Sequence, residues 1–370
     1  MLCPAASVVA DPSPPSASTA SELNNRGIEV AQAGDLEGGI ALVRQAVRAD
    51  PADRLFHTNL SGMLSDWAAQ LSRQGQVERA VALLREALEH DPDNGRALVG
   101  LGDFAYVMQP DLAQAIGYWK RAYGKIPAVE WPAVAERVAH AERDMRIERD
   151  FSGHQTAHFR IRYQGATLAG QVAGLGEALE GAYTQLAAAM GQGPSQLTVL
   201  LYTDETFQRV AGRRDWALGL YDGRLRLRLD EWNSEYGVPL IVHELAHAFL
   251  AHRYGPGLPI WIHEGFAQVQ EPPRTLTPTE EELLARVKAR TSWVPLKWLD
   301  RRFVQPSNRE DVDRAYVQAR WVVERLIARH GMEKFQAFLA ALAGGTPVEQ
   351  AFDQALAPAR WSRADQGGLD

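Results

Sequence analysis

The residues of this sequence best suited to chemistry are His243, Glu244 and His247, which lie in a strongly apolar stretch. The stretch 236–252 is predicted to be a helix, and histidines four residues apart lie one turn above the other on the same helical face. Both imidazoles can therefore point at one metal ion. Glu244 lies about a hundred degrees around the helix, close enough to reach a water on that ion. Ionisable side chains in an otherwise apolar helix are costly unless they serve a function.

A third ligand is predicted in a second helix. The H-E-x-x-H spacing is typical of zinc metalloproteases, and two histidines leave a catalytic zinc one protein ligand short. Glu264 follows the motif after sixteen intervening residues. Pro259 suits the first turn of a helix, and the glycines and proline of 254–258 turn the chain before it. A helix that folds back antiparallel brings Glu264 to the ion, with the small residues Gly265 and Ala267 expected where this helix packs closely on the first.

The composition restricts the ligands and partners of the chain. Its single cysteine, Cys3, excludes an intrachain disulfide and a thiolate cluster, so imidazole and carboxylate must hold any metal. The net charge is −7 and no block of lysine and arginine stands out, so a nucleic-acid partner is not expected. No apolar run approaches the ~20 residues of an integral membrane span.

Three segments of the N-terminal half share a fixed spacing. A Gly or Pro is followed 17 residues later by a Pro, with small residues five and twelve positions after each start. Small residues let two antiparallel helices approach closely, and the closing Pro stops the second helix. The pattern resembles the tetratricopeptide repeat, a helix-turn-helix unit of about 34 residues. The starts are 41 and 35 residues apart, which predicts about two extra helical turns near 56–70. The segments start and end at Gly34 and Pro51, Gly75 and Pro92, and Pro110 and Pro127.

The pattern changes beyond residue 150. His158–Tyr163 alternates like a strand, 168–190 carries one apolar helical stripe, and 197–202 is a short apolar strand. The pattern from about 236 onward is nearly all helical, which indicates an α+β domain. The predicted organisation is a disordered leader over 1–20, tetratricopeptide-like repeats over 21–128, a connecting helix over 129–150, the α+β domain over 151–357 and a flexible tail over 358–370.

The two motifs together resemble the gluzincin metallopeptidases, in particular peptidase MA-like domains that follow tetratricopeptide repeats. The resemblance covers about residues 154–357 and implies a thermolysin-like domain with a small sheet and a mostly helical C-terminal half. It implies one zinc ion per chain, with Glu244 as general base, and an edge strand at 219–225 against which an extended peptide lies. The zinc ligands that it implies are His243, His247 and Glu264. The residues that carry it are His243-Glu244-x-x-His247 and Trp261-x-x-Glu264-Gly265-x-Ala267.

Other residues near these motifs have weaker predictions. Tyr316, in a later helix, is a candidate hydrogen-bond donor to the oxyanion that develops during hydrolysis, because related enzymes use a Tyr or His from this helix. The equal alternative is that Tyr316 is an aromatic residue packed in the core. His263 is expected to face away from the site, with a surface or packing role. Gln268 is expected to be solvated, the alternative being a partner of the metal ligands. Arg224, Arg226 and Arg228 are predicted to form the solvated face of a strand, or else to favour acidic substrates.

The leading hypothesis is a zinc-dependent peptidase, endopeptidase rather than aminopeptidase because no anchor for an N-terminal amine stands out. Its repeats would bind a protein partner or the peptide or protein substrate. The alternative, from a different class, is a tetratricopeptide scaffold that carries a catalytically silent metallopeptidase-like domain. Hydrolysis of other substrates is less favoured, since an edge strand suits extended peptides.

The segment 1–20 lacks a basic start and is predicted to be a leader, with a truncated export signal as the alternative. A cytoplasmic or an exported location therefore stays open.

Overall fold

A computed structural model divides the chain into two compact units. The first unit contains residues 17–70, 78–101 and 118–131, and the second contains 71–77, 102–107, 111–117 and the described residues from 132 onward. The predicted leader lies outside the described residues except for its last four, which are helical. The described residues are 17–107, 111–165, 169–203, 206–207, 210, 219–228, 237–255, 257–356, 364–365 and 367.

Helices joined by short turns make up the repeat region. Glycines bring α1 and α2 together, because a Cβ on Gly27 would lie 2.7 Å from the carbonyl oxygen of Gly39. Gly34 turns the chain between these two helices with a φ of 103°, a conformation that suits glycine. The third helix has 20 residues, which accounts for the longer first interval of the repeats. The helices are α1 (Ala17–Gln32), α2 (Leu36–Ala49), α3 (Arg54–Arg73), α4 (Val77–His90), α5 (Gly95–Val107) and α6 (Leu112–Ala122).

The described residues of the second unit form a five-stranded mixed sheet. Its order is β1-β2-β3-β5-β4, so β4 is an edge strand and β3 is central. The central strand is buried at every residue, in keeping with its apolar sequence. The β2–β3 and β3–β5 pairs are parallel, and the two outer pairs are antiparallel. The strands are β1 (Ser152–Gln155), β2 (Phe159–Tyr163), β3 (Leu197–Tyr202), β4 (Gly219–Tyr221) and β5 (Leu225–Arg228).

Helices complete the second unit and form its C-terminal half. The first of them follows the repeats, at the place of the predicted connecting helix, and the others pack mainly on one apolar core that includes the inner face of the sheet. This arrangement confirms the predicted α+β class, with helical repeats before a small sheet and a mostly helical C-terminal half. The helices are α7 (Trp131–Ile147), α8 (Ala169–Met190), α9 (Gly237–Tyr254), α10 (Ile260–Gln270), α11 (Pro278–Lys288), α12 (Leu296–Val304), α13 (Arg309–His330), α14 (Met332–Ala343) and α15 (Val348–Ala355).

Arg224, just before β5, and Arg226 within it are buried, so the prediction of a solvated strand face is wrong for these two arginines. Arg224 is 1% exposed and Arg226 is fully buried. Both form ion pairs with Asp144 of α7, and Arg224 also pairs with Glu148 just beyond that helix. Leucine and arginine do alternate along β5 as the sequence predicts, but the arginine side of the strand is covered by the acidic residues Asp144 and Glu148. Arg228 is half-buried.

The predicted flexible tail is ordered where the structure describes it. The backbone N–H of Lys297, in the first turn of α12, donates to Oδ1 of Asp365 at 3.0 Å. The indole N–H of Trp293 donates to the carbonyl oxygen of Asp365 at 2.7 Å. Asp365 is 3% exposed, so this part of 358–370 is packed on the domain and is not a free tail. Within the described ranges, none of the helices has the length and hydropathy that a bilayer-spanning segment needs.

Candidate metal centre

Helix α9 presents His243 and His247 on one face. Most of its other residues are apolar and buried, which fixes the rotation of the helix against the core. The two imidazole centroids lie 4.9 Å apart, as expected for residues separated by one turn. The side chains of His243 and His247 keep 17% and 14% of their surface exposed, so the site is accessible from outside.

Helix α10 packs against α9 and carries Glu264. Pro259, at its N-cap, has no side-chain group that could accept a hydrogen bond from the first turn. Asp300 of α12 provides that acceptor, since its Oδ1 accepts the backbone N–H of Trp261 at 2.9 Å. Burial raises the pKa of Asp300, although these backbone hydrogen bonds oppose the rise. The start of α10, and with it Glu264 one turn later, is therefore fixed by a residue of another helix.

The predicted ligands converge. Atoms of His243, His247 and Glu264 lie within 4.8 Å of one another. Oε2 of Glu264 lies 3.4 Å from Nε2 of His243 and 3.9 Å from Nε2 of His247. Three ligands at zinc bond lengths of about 2.0–2.1 Å around a tetrahedral ion are about 3.3 Å apart. Oε2 is buried and has no hydrogen-bond partner among the described residues, which is costly unless a cation binds there. The donor set fits a zinc ion.

A further carboxylate, Glu271, orients the first histidine. Its Oε1 lies 2.8 Å from Nδ1 of His243, and its side chain is 12% exposed. A histidine that donates Nδ1–H to a carboxylate presents Nε2 to the metal in a fixed tautomer. Sequence analysis missed Glu271, although a signal exists: it follows Glu264 by seven residues, two helical turns along the same face.

Glu244 lies between α9 and the edge strand. It is 7% exposed, and the backbone N–H of Tyr221 in β4 faces its carboxylate and favours the ionised form, which opposes the rise in its pKa. The contact is close, because a Cβ on Gly219 would lie 2.8 Å from Cγ of Glu244. Burial raises the pKa of Glu244 to about 7, with a further contribution from Glu264. A carboxyl group poised near neutral pH is suited to accept and return a proton.

The charges of the ligand set suit a cation. Burial disfavours a charged His243, but the Glu264 and Glu271 carboxylates outweigh burial and raise its pKa well above the usual value. Burial lowers the pKa of His247 to about 3, so this imidazole is neutral and has a lone pair to donate. Burial favours the acid form of Glu264, yet the neighbouring histidines hold its pKa below the usual value. The three groups together offer neutral nitrogen and anionic oxygen once a cation replaces the proton of His243.

Tyr316, Gln268 and His263, the other residues with predictions near the site, each contact a different part of the domain. The ring of Tyr316, in α13, packs edge-to-face on Phe303 with centroids 5.1 Å apart, and its backbone carbonyl accepts the amide of Gln268 at 3.2 Å. Gln268 thus ties α10 to α13 and is not simply solvated. The ring of His263 lies 5.7 Å from that of His247, so this histidine packs beside the ligand set and does not face away from it. Burial lowers the pKa of His263, so a neutral imidazole borders the ligand set.

Gly265 has a different neighbour from the one predicted. A Cβ at this position would lie 2.4 Å from the carbonyl oxygen of Ala319 in α13. The glycine therefore permits close packing of α10 on α13, and the prediction that it faces α9 is wrong. Ala267 is fully buried. The Glu264 helix is thus held from two sides, by α9 and by α13.

This fold and site define a protein with helical repeats and a peptidase-like domain built around an H-E-x-x-H helix. Residues 215–358 match the model of the Peptidase MA superfamily, and residues 66–130 match that of the tetratricopeptide repeat. The first match begins before β4 and contains the whole ligand set. These matches confirm the predicted resemblance, a peptidase MA-like domain after tetratricopeptide repeats. No curated protein matches the chain.

Proposed function

We propose that this protein hydrolyses peptide bonds with one zinc ion per chain. His243, His247 and Glu264 would hold the ion, and Glu244 would act as general base. One observation carries the proposal: three donor atoms on two helices lie at the mutual distances of ligands of a single ion, and one of them is buried without a hydrogen bond. The Peptidase MA match over this segment supports the same reaction class.

The chain's own residues suffice for the proton transfers of hydrolysis. When bound, zinc supplies Lewis acidity, which activates water and polarises the scissile carbonyl. Glu244 takes a proton from the attacking water while the oxygen bonds to the carbonyl carbon. The same carboxyl group then returns the proton to the leaving nitrogen as the C–N bond breaks, giving a carboxylic acid and an amine; the second proton of the water then passes from the new acid to the amine or to solvent. Tyr316 is proposed to donate a hydrogen bond to the carbonyl oxygen as negative charge develops there.

The edge strand favours an extended peptide as substrate. β4 borders the sheet, and its backbone lies against Glu244. An extended chain can add to such an edge through main-chain hydrogen bonds, which suits polypeptides of varied sequence. An edge that binds main-chain groups requires no free terminus, so endopeptidase action is preferred. The tetratricopeptide repeats are proposed to recruit a protein partner or the substrate itself.

Metal content and peptide cleavage test the proposal together. Element-specific quantification is expected to give one zinc per wild-type chain and much less in His247→Ala. His154→Ala is the matched control, because His154 is an exposed histidine of β1 and its loss should leave zinc unchanged. Equal zinc in wild type and His247→Ala would refute the metal site.

Cleavage is tested with a broad peptide library. The wild type is expected to cleave internal bonds in a chelator-sensitive manner, and Glu244→Gln is expected to bind zinc but to lose nearly all turnover, a fall of about 10²–10⁴-fold. Glu282→Gln, an exposed substitution on α11, should retain full turnover. Full turnover by Glu244→Gln would refute the mechanism. Bound zinc without cleavage of any peptide would favour the scaffold hypothesis.

A further inference from the structure

A buried ionic cluster holds the hairpin that borders Glu244. The hairpin consists of β4, the turn Asp222-Gly223-Arg224 and β5. Strand β4 has three residues and pairs with β5 through three residue pairs. The turn and β5 join these described residues of the edge strand to the rest of the domain. The placement of the strand therefore depends also on what the turn and β5 contact.

Arg226, opposite Leu220 of β4, directs all of its N–H groups at acceptors. Nε donates to Oδ2 of Asp222 at 2.9 Å. Nη1 donates to the Tyr202 hydroxyl at 2.7 Å and reaches Oδ1 of Asp144 at 3.4 Å. Nη2 donates to Oδ2 of Asp144 at 2.6 Å and to the Tyr106 hydroxyl at 2.8 Å. The planar guanidinium thus fixes one orientation of these partners, which a flexible ammonium group would not do.

Asp222 connects this cluster to the turn. While Oδ2 accepts from Arg226, Oδ1 accepts the backbone N–H of Arg224 at 3.3 Å. Gly223 between them has a φ of 97°, which a residue with a side chain rarely adopts. The residue before Asp222 is Tyr221, whose backbone N–H faces the Glu244 carboxylate; in the same strand, a Cβ on Gly219 would lie 2.8 Å from Cγ of Glu244. Asp222, whose side chain is fixed by the cluster, is therefore the direct chain neighbour of Tyr221, whose amide faces the proposed base Glu244.

Bulk stability does not account for this cluster. Buried ion pairs seldom stabilise a fold more than apolar residues of the same volume, because desolvation offsets their attraction. What they fix well is geometry, since each charge tolerates few arrangements of its partners. The chain places such a cluster on the outer face of β5, opposite the apolar core that contains Leu225 and Leu227.

We propose that Arg226 and Asp222 are positioning residues for the hydrolysis: they hold the β4–β5 hairpin so that the Tyr221 amide orients Glu244. The expected effect on turnover rests on the proposed function. The placement of the Tyr221 amide does not, because the contacts that fix the hairpin do not involve the metal.

The test combines amide exchange with kinetics on the full-length, zinc-loaded protein. Asp222→Asn keeps the volume and the turn but removes the charge facing Arg226, and it leaves Arg226 paired with Asp144. Amide exchange of 219–225 is expected to accelerate about tenfold or more, while that of central strand β3 is unchanged. Peptide kcat is expected to fall about 10- to 100-fold with KM within about twofold and zinc content unchanged. Arg226→Lys should act in the same direction.

Arg162→Gln is the matched control. Arg162 belongs to the same cluster, as Nη1 lies 3.6 Å from Oε2 of Glu148, but it is on β2, away from the hairpin. This variant is expected to retain the exchange of 219–225 and wild-type kcat. Wild-type exchange and kcat in both hairpin variants would overturn the proposal. Faster exchange that extends into β3 would also overturn it, because the cluster would then be a general structural element. If the wild type cleaves no peptide, the proposed function fails, and exchange alone still decides whether the cluster positions Tyr221.

Discussion

The Nδ1 atom of His243 lies 2.8 Å from Oε1 of Glu271, and this contact links the end of α10 to the first histidine of the candidate metal site. Glu271 follows the last residue of α10, where its backbone N–H still donates to the carbonyl of Ala267. The helix that carries the proposed ligand Glu264 therefore also brings a carboxylate to His243. A displacement of α10 would disturb two of the three proposed ligands at once.

Glu271→Gln is expected to weaken zinc binding about 10- to 100-fold, because a neutral amide no longer stabilises the tautomer in which His243 presents Nε2. Competition with a fluorescent chelator measures the affinity. Glu282→Gln removes an exposed carboxylate of α11 and should leave the affinity unchanged. Unaltered affinity in Glu271→Gln would show that the carboxylate has no part in holding the metal.

Zinc is expected to stabilise the folded protein, because the ligand set exists only in the folded state. At free zinc of about 100 times Kd, the stabilisation should be about 2.7 kcal/mol. Thermal unfolding with and without zinc measures it as a rise in Tm. His247→Ala should lose the rise and His154→Ala should keep it. A zinc-dependent Tm in His247→Ala equal to that of wild type would contradict the assigned ligands.

Gly265→Ala is expected to destabilise the domain by about 1–3 kcal/mol, because the new methyl group would press on the backbone of Ala319 and force α10 from α13. Gly181→Ala is the matched control. Gly181 lies within α8 with open space around its Cβ position, so alanine should stabilise the helix by about 0.4–1 kcal/mol. Chemical denaturation of both variants measures the difference. Equal stabilities would contradict close packing at Gly265.

The stability of helix α11 is expected to depend on pH through Glu280. The Arg274 guanidinium, together with the capping box at Thr277, lowers the pKa of Glu280 to about 2. The folded pKa lies below the unfolded value of about 4.3, so the ionised carboxylate stabilises the fold above that value, and this contribution is lost as pH falls toward 2.

Glu280→Gln should accordingly lower the urea midpoint at about pH 7, and its difference from wild type should shrink at about pH 3. Glu282→Gln, on the same helix but exposed, should shift the midpoint at neither pH. A difference that grows on acidification would contradict the assignment.

Much of the candidate metal site could be predicted from the sequence because its proposed ligands lie on two consecutive helices. Helical geometry alone places His247 one turn from His243, and zinc chemistry then requires a nearby carboxylate, which Glu264 provides. The same geometry would have revealed Glu271, two turns after Glu264. The repeat helices and the α+β class likewise follow from local periodicity and spacing.

The tertiary structure alone decided which elements meet. The β5 pattern showed that Arg226 points away from the core, but its partner Asp144 is 82 positions away in the chain, and no periodicity indicates that α7 covers that face. For the same reason Asp300 at the start of α10, and Ala319 opposite Gly265, were not foreseen. Spacing within a helix is fixed by its hydrogen bonds, whereas the neighbour of a face is chosen by the packing of the whole domain.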